Sequence, residues 1–359
     1  MMGLSFLQTD ELVERYHREN YFPDASYAIF SAKGTLHQGT CGSATKDTWF
    51  DLASLTKLYT TTAVLYLIQQ GRLRLQDSVA VCLPAVKEYQ DLSGYLEPIT
   101  IEQLLTHRSG LLPWYPFYTQ EKEFFVALKE LLVYKPKLDG MNYSDLNFLL
   151  LGKIVEQYEG ISLPEAFREM GLSCLAEPAY FPPGSALREK LLKEGRIAIS
   201  CYGNVVEEKM CADRGLNYHN FRDPSLPVIG QANDGNCWYY FSGVSGHAGL
   251  FAPAYALIKL GQFYLTSQEP LFRRAMEDTG LGRGLGFEVD SKYPMGCGHT
   301  GFTGTSLWLS PQNGVGAVML TNRLAYENGQ LPKDLSVFRT EFHTSILKDL
   351  GMIGDCETI

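Results

Sequence analysis

No stretch of this chain supplies the roughly 20 apolar residues that a membrane-spanning helix requires. The longest uncharged run of interest, 58–71, is shorter than that and is broken by threonine, tyrosine and glutamine. Concentrated basic charge is also missing. With 31 Lys and Arg against 40 Asp and Glu the net charge is -9, and the absence of a basic stripe disfavours nucleic acid or an anionic membrane surface as partner. Residues 1–20 have neither the basic start nor the long apolar run of a secretory signal, so a cytoplasmic location is expected. The eight cysteines are scattered, with no Cys-x-x-Cys pair and no histidine at zinc-ligand spacing. They read as mostly buried free thiols in a reducing compartment, and neither a metal nor a cofactor is expected. No Gly-x-Ser-x-Gly elbow occurs, which argues against an α/β-hydrolase. The glycine-rich segment 280–286 (GLGRGLG) does not follow a strand and open a helix, so it fails the dinucleotide-binding pattern.

What remains is ordinary globular material: 359 residues, 45% hydrophobic and 20% charged, enough for one large domain or two smaller ones. Strand signals gather at the two ends. Ser26 to Ser31 and Gly34 to Cys41 read as an antiparallel hairpin around a short glycine turn. Gly284 to Asp290, His299 to Leu309 and Gly314 to Asn322 repeat the signature, with 310–313 as a turn between the last two. Helical spacing marks the start of the chain, Leu58 to Gln70, Thr100 to Leu105, Lys122 to Leu132, Asp145 to Glu159 and, near the other end, Leu331 to Leu350. The segment Pro178 to Val228 reads as an irregular connection over a cleft. The expected fold class is therefore α+β, an α/β sandwich. One lobe (1–57 and 283–359) holds an antiparallel sheet built from both chain ends with flanking helices. A mostly helical inserted lobe (58–282) faces it across the cleft.

Ser54 and Lys57 fall one helical turn apart, which gives a weak hydroxyl nucleophile its own proton acceptor if burial lowers the lysine pKa. Alone, the pair reads equally as a helix cap followed by a solvated lysine. Tyr143 lies on a polar loop at a helix start, where its hydroxyl can share the proton work with nearby cations favouring the phenolate, or where it simply packs. His299, Thr300 and Gly301 precede Phe302 on an expected strand whose glycines signal close backbone approach. A substrate carbonyl can add to such an edge while the Ser54 and Phe302 amides bind an oxyanion, each donor being worth roughly 3 kcal/mol. His247 sits in a flexible Gly-His-Ala-Gly loop and either reaches the cleft or caps a helix, and His107 reads as structural.

The order Ser-x-x-Lys, Tyr-x-Asp, His-Thr-Gly resembles the serine β-lactamase and penicillin-binding-protein superfamily, on the branch of class C β-lactamases, DD-carboxypeptidases and β-lactamase-like (family VIII) esterases. Phe50 to Ala53, Ile101 to Leu111, Gly243 to Phe251 and Leu320 to Arg323 also look like family text, so the likeness runs from about Ala28 to Arg323. The resemblance implies a metal-free serine hydrolase with Ser54 as acylated nucleophile, Lys57 and Tyr143 as proton-handling pair, and the Ser54 and Phe302 amides as oxyanion hole. Asp145, His299, Thr300, Gly301 and His247 would contact a small-molecule or short-peptide substrate, with β-lactams as candidate acylating ligands. Asp145 stands where the lactamases usually carry asparagine, and His299 where they usually carry lysine. A partly charged histidine holds a β-lactam carboxylate less firmly than a permanent cation, and an aspartate repels it. Ester or D-amino-acid amide hydrolysis is therefore expected above efficient β-lactamase activity, with a non-catalytic penicillin- or peptide-binding module as the rival. A further expectation is that Asp145 raises the pKa of His299.

Overall fold

The computed structural model describes residues 5–133, 135–327 and 330–354. Cys356 lies outside these residues, and of the other cysteines six are buried and Cys41 is half-buried, all as free thiols. The main sheet joins the two ends of the chain. Strands β1 (Ala25–Ser31) and β2 (Gly34–Cys41) form the expected hairpin, and β3 (Cys297–Thr300), β4 (Ser306–Ser310) and β5 (Val315–Thr321) complete the sheet. The spatial order is β2-β1-β5-β4-β3, every neighbouring pair antiparallel. β1 and β5 lie inside the sheet and are covered on both faces, which is why both read as near-continuous apolar or small runs.

Two strand expectations need correction. The stretch 284–290 forms no named strand and meets the sheet only through an isolated bridge between Glu288 and Gly298. Gly286 within it and Gly282 just before it have φ of +80° and +69°, which breaks extended pairing. The stretch 299–309 is not one strand but the reversal from β3 to β4, closed by the Gly301 N–H donating to the Thr305 carbonyl at 2.7 Å. The segment 178–228 is also less irregular than expected. It holds short strands at Ala179–Tyr180, Ile199–Tyr202 and Pro227–Ile229, and helices at Ala186–Lys193 and Val205–Ala212.

Five longer helices frame the site: α1 (Leu7–Arg18), α2 (Thr56–Gln69), α3 (Asp145–Glu159), α4 (Ala254–Thr266) and α5 (Ser336–Asp349). α1 and α5 cover one face of the sheet, with Val13, Tyr16, Phe338 and Phe342 in one core alongside Trp308. α4 covers the other face against β1, β4 and β5. Although α4 falls inside segment 58–282, it belongs to the sheet's own layer. α2 is buried almost all round, and its run of threonines survives burial because hydroxyls find carbonyls: Thr60 donates to the Gly246 carbonyl and Thr62 to that of Leu58, each at 2.7 Å. α3 crosses the 243–251 loop where Gly152 meets Gly246; a Cβ on Gly152 would stand 2.9 Å from the Gly246 Cα, so only glycines permit this approach.

Candidate active site

Ser54 sits in a single turn, Ala53–Leu55, that leads directly into α2 and places Lys57 in the first helical turn. Ala53 has φ of +45°, a left-handed conformation that costs a non-glycine residue roughly 1–2 kcal/mol. Local strain therefore lies immediately before Ser54. Lys57 is wholly buried, and its ammonium group has three acceptors: Ser54 Oγ at 2.8 Å, Asp145 Oδ1 at 2.8 Å and the His247 carbonyl at 3.1 Å. Tyr143 donates its hydroxyl to Ser54 Oγ at 2.9 Å, and Lys57 Nζ stands 5.0 Å from the centre of its ring. Two separate segments of the sequence, 54–57 and 143–145, thus meet at one hydroxyl.

The electrostatics differ from expectation in three respects. Burial is the largest influence on Lys57 and lowers its pKa, but the Asp145 carboxylate, with Tyr143 and their hydrogen bonds, prevails and pushes it up to about 12. The expected lowered lysine pKa is not found. Tyr143 is held above the usual phenol range, chiefly by burial, with the Lys57 charge opposing; the expected drift towards phenolate is not found either. His299 is buried and pushed down to about 3, first by burial, against the raising effect of Glu288 and with Arg283 and Lys57 lowering it further. Asp145 does not raise the pKa of His299; it pairs with Lys57 instead. His299 Nδ1 faces the Thr300 carbonyl at 2.8 Å, so in the neutral ring Nδ1 carries the proton and Nε2 presents a lone pair. Nε2 has no partner among the described residues.

Ser54, Tyr143, Asp145 and His299 line a cleft of about 430 Å³ together with Thr300, Gly301 and Phe302. Among the described residues the Ser54 and Phe302 N–H groups are not hydrogen-bonded within the fold, while the Phe302 carbonyl accepts from Arg323 Nε at 2.7 Å. The turn carrying Phe302 is tied to the Ser54 turn by two hydroxyls: Thr303 donates to the Asp51 carbonyl at 2.7 Å and Thr305 to that of Leu52 at 3.0 Å. His247 lies behind the cleft wall rather than on it. Its Nε2 is 2.9 Å from Asp234 Oδ1 and its Nδ1 3.0 Å from Ser245 Oγ, so its imidazole serves the wall while its carbonyl serves Lys57.

Sequence reasoning missed much of the cleft wall. Arg283, inside the segment set aside at 280–286, is buried, stands 5.3 Å from the Tyr143 ring centre and pairs with Glu288 at 2.8 Å. Its other terminal nitrogen, Nη1, and Nε of Arg339 on α5 are buried without a partner among the described residues. Glu207 and Asp234 also line the cleft. Burial pushes the Glu207 carboxyl up to about 8 despite hydrogen bonds from the Gly235 N–H and the Tyr118 hydroxyl. Neither an arginine among glycines nor isolated acids carry a sequence signal of their own. His107 matched its structural reading: Nδ1 accepts from the Ser144 N–H and the Asn147 amide, both at 3.0 Å, and its ring packs on Tyr143 with centres 4.5 Å apart. Asp145, Asp234 and His247 hold potential ligand atoms within 4.8 Å of one another, a grouping no sequence spacing showed, but Lys57 already places a positive charge against Asp145 there.

Known proteins share this frame. The family model described as Beta-lactamase matches residues 9–337. A putative D-alanyl-D-alanine carboxypeptidase of Salmonella paratyphi A is 29% identical over 322 residues, covering 78% of this chain and 70% of its own length. Among solved structures, EstCE1, described as a hydrolase with promiscuous acyltransferase activity, superposes with a TM-score of 0.66 at 18% identity, covering 94% of this chain and 98% of its own. A class C beta lactamase from Rhodobacter sphaeroides does so with a TM-score of 0.68 at 18% identity, covering 95% and 99%. The fold is shared with that hydrolase and with the class C beta lactamase.

Proposed function

The chain belongs to the beta-lactamase family, and from that premise we propose that it is a serine hydrolase acting through an acyl-enzyme on D-amino-acid amides or carboxylic esters. The observation that carries this reading is the convergence of Lys57 Nζ and Tyr143 Oη on Ser54 Oγ, at 2.8 and 2.9 Å. Ser54 Oγ attacks the substrate carbonyl carbon, and its proton passes to the Lys57 and Tyr143 pair. The Ser54 and Phe302 N–H groups hold the resulting oxyanion. Collapse expels the amine or alcohol, which takes a proton from the same pair, and water then hydrolyses the Ser54 ester. Because Asp145 keeps Lys57 protonated at rest, the pair accepts the serine proton only from the fraction in which Lys57 is neutral.

Arg283 favours the peptidase side of this reading over plain esters. A buried donor left unpaired costs about 1–3 kcal/mol, a penalty that a ligand carboxylate reaching Arg283 Nη1 and Arg339 Nε removes. A leaving D-amino acid carries such a carboxylate, and so does a β-lactam. The neutral His299 with its Nε2 lone pair adds an acceptor rather than a second cation. That supports amide hydrolysis above efficient β-lactam turnover, with β-lactams as slow acylating ligands.

One screen tests the reading. p-Nitrophenyl esters, nitrocefin and a D-Ala-D-Ala peptide are offered to wild type, Ser54→Ala and Arg283→Gln. Ser54→Ala is expected to lose all turnover and all covalent labelling by penicillin or a phosphonate; labelling that survives removes Ser54 as nucleophile. Arg283→Gln is expected to raise KM for the peptide roughly tenfold or more, the loss of one charge-assisted hydrogen bond, and to raise it far less for the esters. Equal effects on both would dismiss the carboxylate assignment.

A further inference from the structure

Asp51 lies three residues before Ser54, is 4% exposed and does not line the cleft. Its carboxylate accepts two backbone N–H groups from different parts of the molecule: Ala53 at 2.9 Å on Oδ1 and Asn233 at 2.6 Å on Oδ2. Its own carbonyl accepts the Thr303 hydroxyl at 2.7 Å. Three segments therefore meet on one residue. The first contact fixes Ala53, whose left-handed φ of +45° needs an external restraint to persist immediately before Ser54. The second fixes Asn233 and with it Asp234, which holds His247, whose carbonyl in turn receives Lys57. The third fixes the turn that presents the Phe302 N–H.

We propose that, while the Asp51 backbone carbonyl holds the Phe302 turn, the buried Asp51 carboxylate is a positioning group that sets the spacing between the Ser54 turn and the Lys57 support at Asn233–His247. It does so only as a carboxylate, because both oxygens face N–H donors and a proton on either would meet one of them. This rests on Ser54 being the nucleophile but is independent of which bond the enzyme cleaves. Burial, opposed by the two backbone N–H groups, pushes the Asp51 carboxyl up to about 6. The charged and titratable groups around it are Asp234, which raises it, Arg222, which lowers it, and the buried thiols of Cys201 and Cys237. Linkage gives the positioning and the stability opposite signs. A raised carboxyl pKa means the folded state binds the proton more readily than the unfolded chain, so falling pH protonates Asp51 near 6 without loss of global stability from this group. The positioning is lost at that same pH.

Two measurements follow the rate of Ser54 labelling by a fluorophosphonate, a readout that does not depend on the natural substrate. In Asp51→Asn the amide nitrogen opposes one of the two N–H groups, and the labelling rate at pH 7.5 is expected to fall tenfold or more while phosphonate saturation changes little. The second follows wild type alone from pH 7.5 to 5. On top of the steady fall set by the shrinking neutral fraction of Lys57, its labelling rate is expected to bend downward more steeply below about pH 6 while the melting temperature does not fall. An Asp51→Asn protein that is folded and labels within twofold of wild type overturns the proposal. If that variant does not fold, a wild-type rate whose fall keeps one slope from pH 7.5 to 5, with no break near 6, overturns it. Wild type that never labels at Ser54 instead overturns the hydrolase reading, so the two failures are distinguishable.

Discussion

With three acceptors around its ammonium group, Lys57 is saturated at rest, and the acceptor that matters most is Asp145 at 2.8 Å. Replacing Asp145 by Asn removes the charge that outweighs burial. An ammonium left in a buried site without its partner is unfavourable by about 3–5 kcal/mol, so the amine sheds its proton instead. Lys57, now pushed up to about 12, therefore moves down in Asp145→Asn, and the neutral base is present at lower pH. Acylation in wild type is expected to climb steadily on the alkaline side. In Asp145→Asn the rise is expected to shift to lower pH and to bring a faster rate at pH 7, about tenfold for each unit of displacement in the lysine pKa. A variant that is slower with an unmoved profile would make Asp145 an orienting group only. Ser54, Lys57 and Tyr143 were legible in the sequence because each lies in a short local pattern. The pairing that sets their protonation was not, because Asp145 and Lys57 are separated by 88 positions (145 minus 57) and only the packing of α2 against α3 brings them together.

The β3–β4 reversal carries the Phe302 N–H, and its geometry is set by glycine. A Cβ on Gly301 would stand 2.0 Å from Thr305 Oγ1 and 2.6 Å from the Leu52 carbonyl, so Gly301→Ala must push this turn away from the segment that leads into Ser54. The expected result is a stability loss of about 1–3 kcal/mol from overpacking and a labelling rate lowered tenfold or more. Melting curves and the phosphonate assay read the two separately. Labelling at the wild-type rate would remove this turn from the oxyanion frame. At this scale the hairpin of β1 and β2 was fully readable, since alternation, glycine turn and pairing partner are all local. The reversal between β3 and β4 was not, because its threonines are strand formers by composition and only the Gly301 to Thr305 hydrogen bond shows the chain turning back. The 284–290 segment failed for the opposite reason: its apolar residues are core side chains of a glycine-bent loop rather than of a strand.

At the scale of the whole molecule, the sheet from both ends was visible in the strand signals and the family likeness in the order of motifs, and the five-stranded sheet and the match over residues 9–337 agree with them in turn. The cleft wall opposite Ser54 was not visible. Arg283, Arg339 and Glu207 come from three distant segments, and each is an unremarkable residue until the fold aims it inward. Among them Arg339 also braces the β3–β4 reversal, since from α5 its Nη2 donates to the Gly301 carbonyl at 3.1 Å and to that of Thr305 at 3.3 Å. The ribosome delivers Ser54, Lys57 and Tyr143 well before β3, β4 and α5. A nascent chain therefore carries Ser54 with no Phe302 turn and no Arg339 brace, and that turn is braced only after α5 has emerged and docked beside α1. Order of synthesis thus leaves the wall facing Ser54 incomplete until α5 is in place.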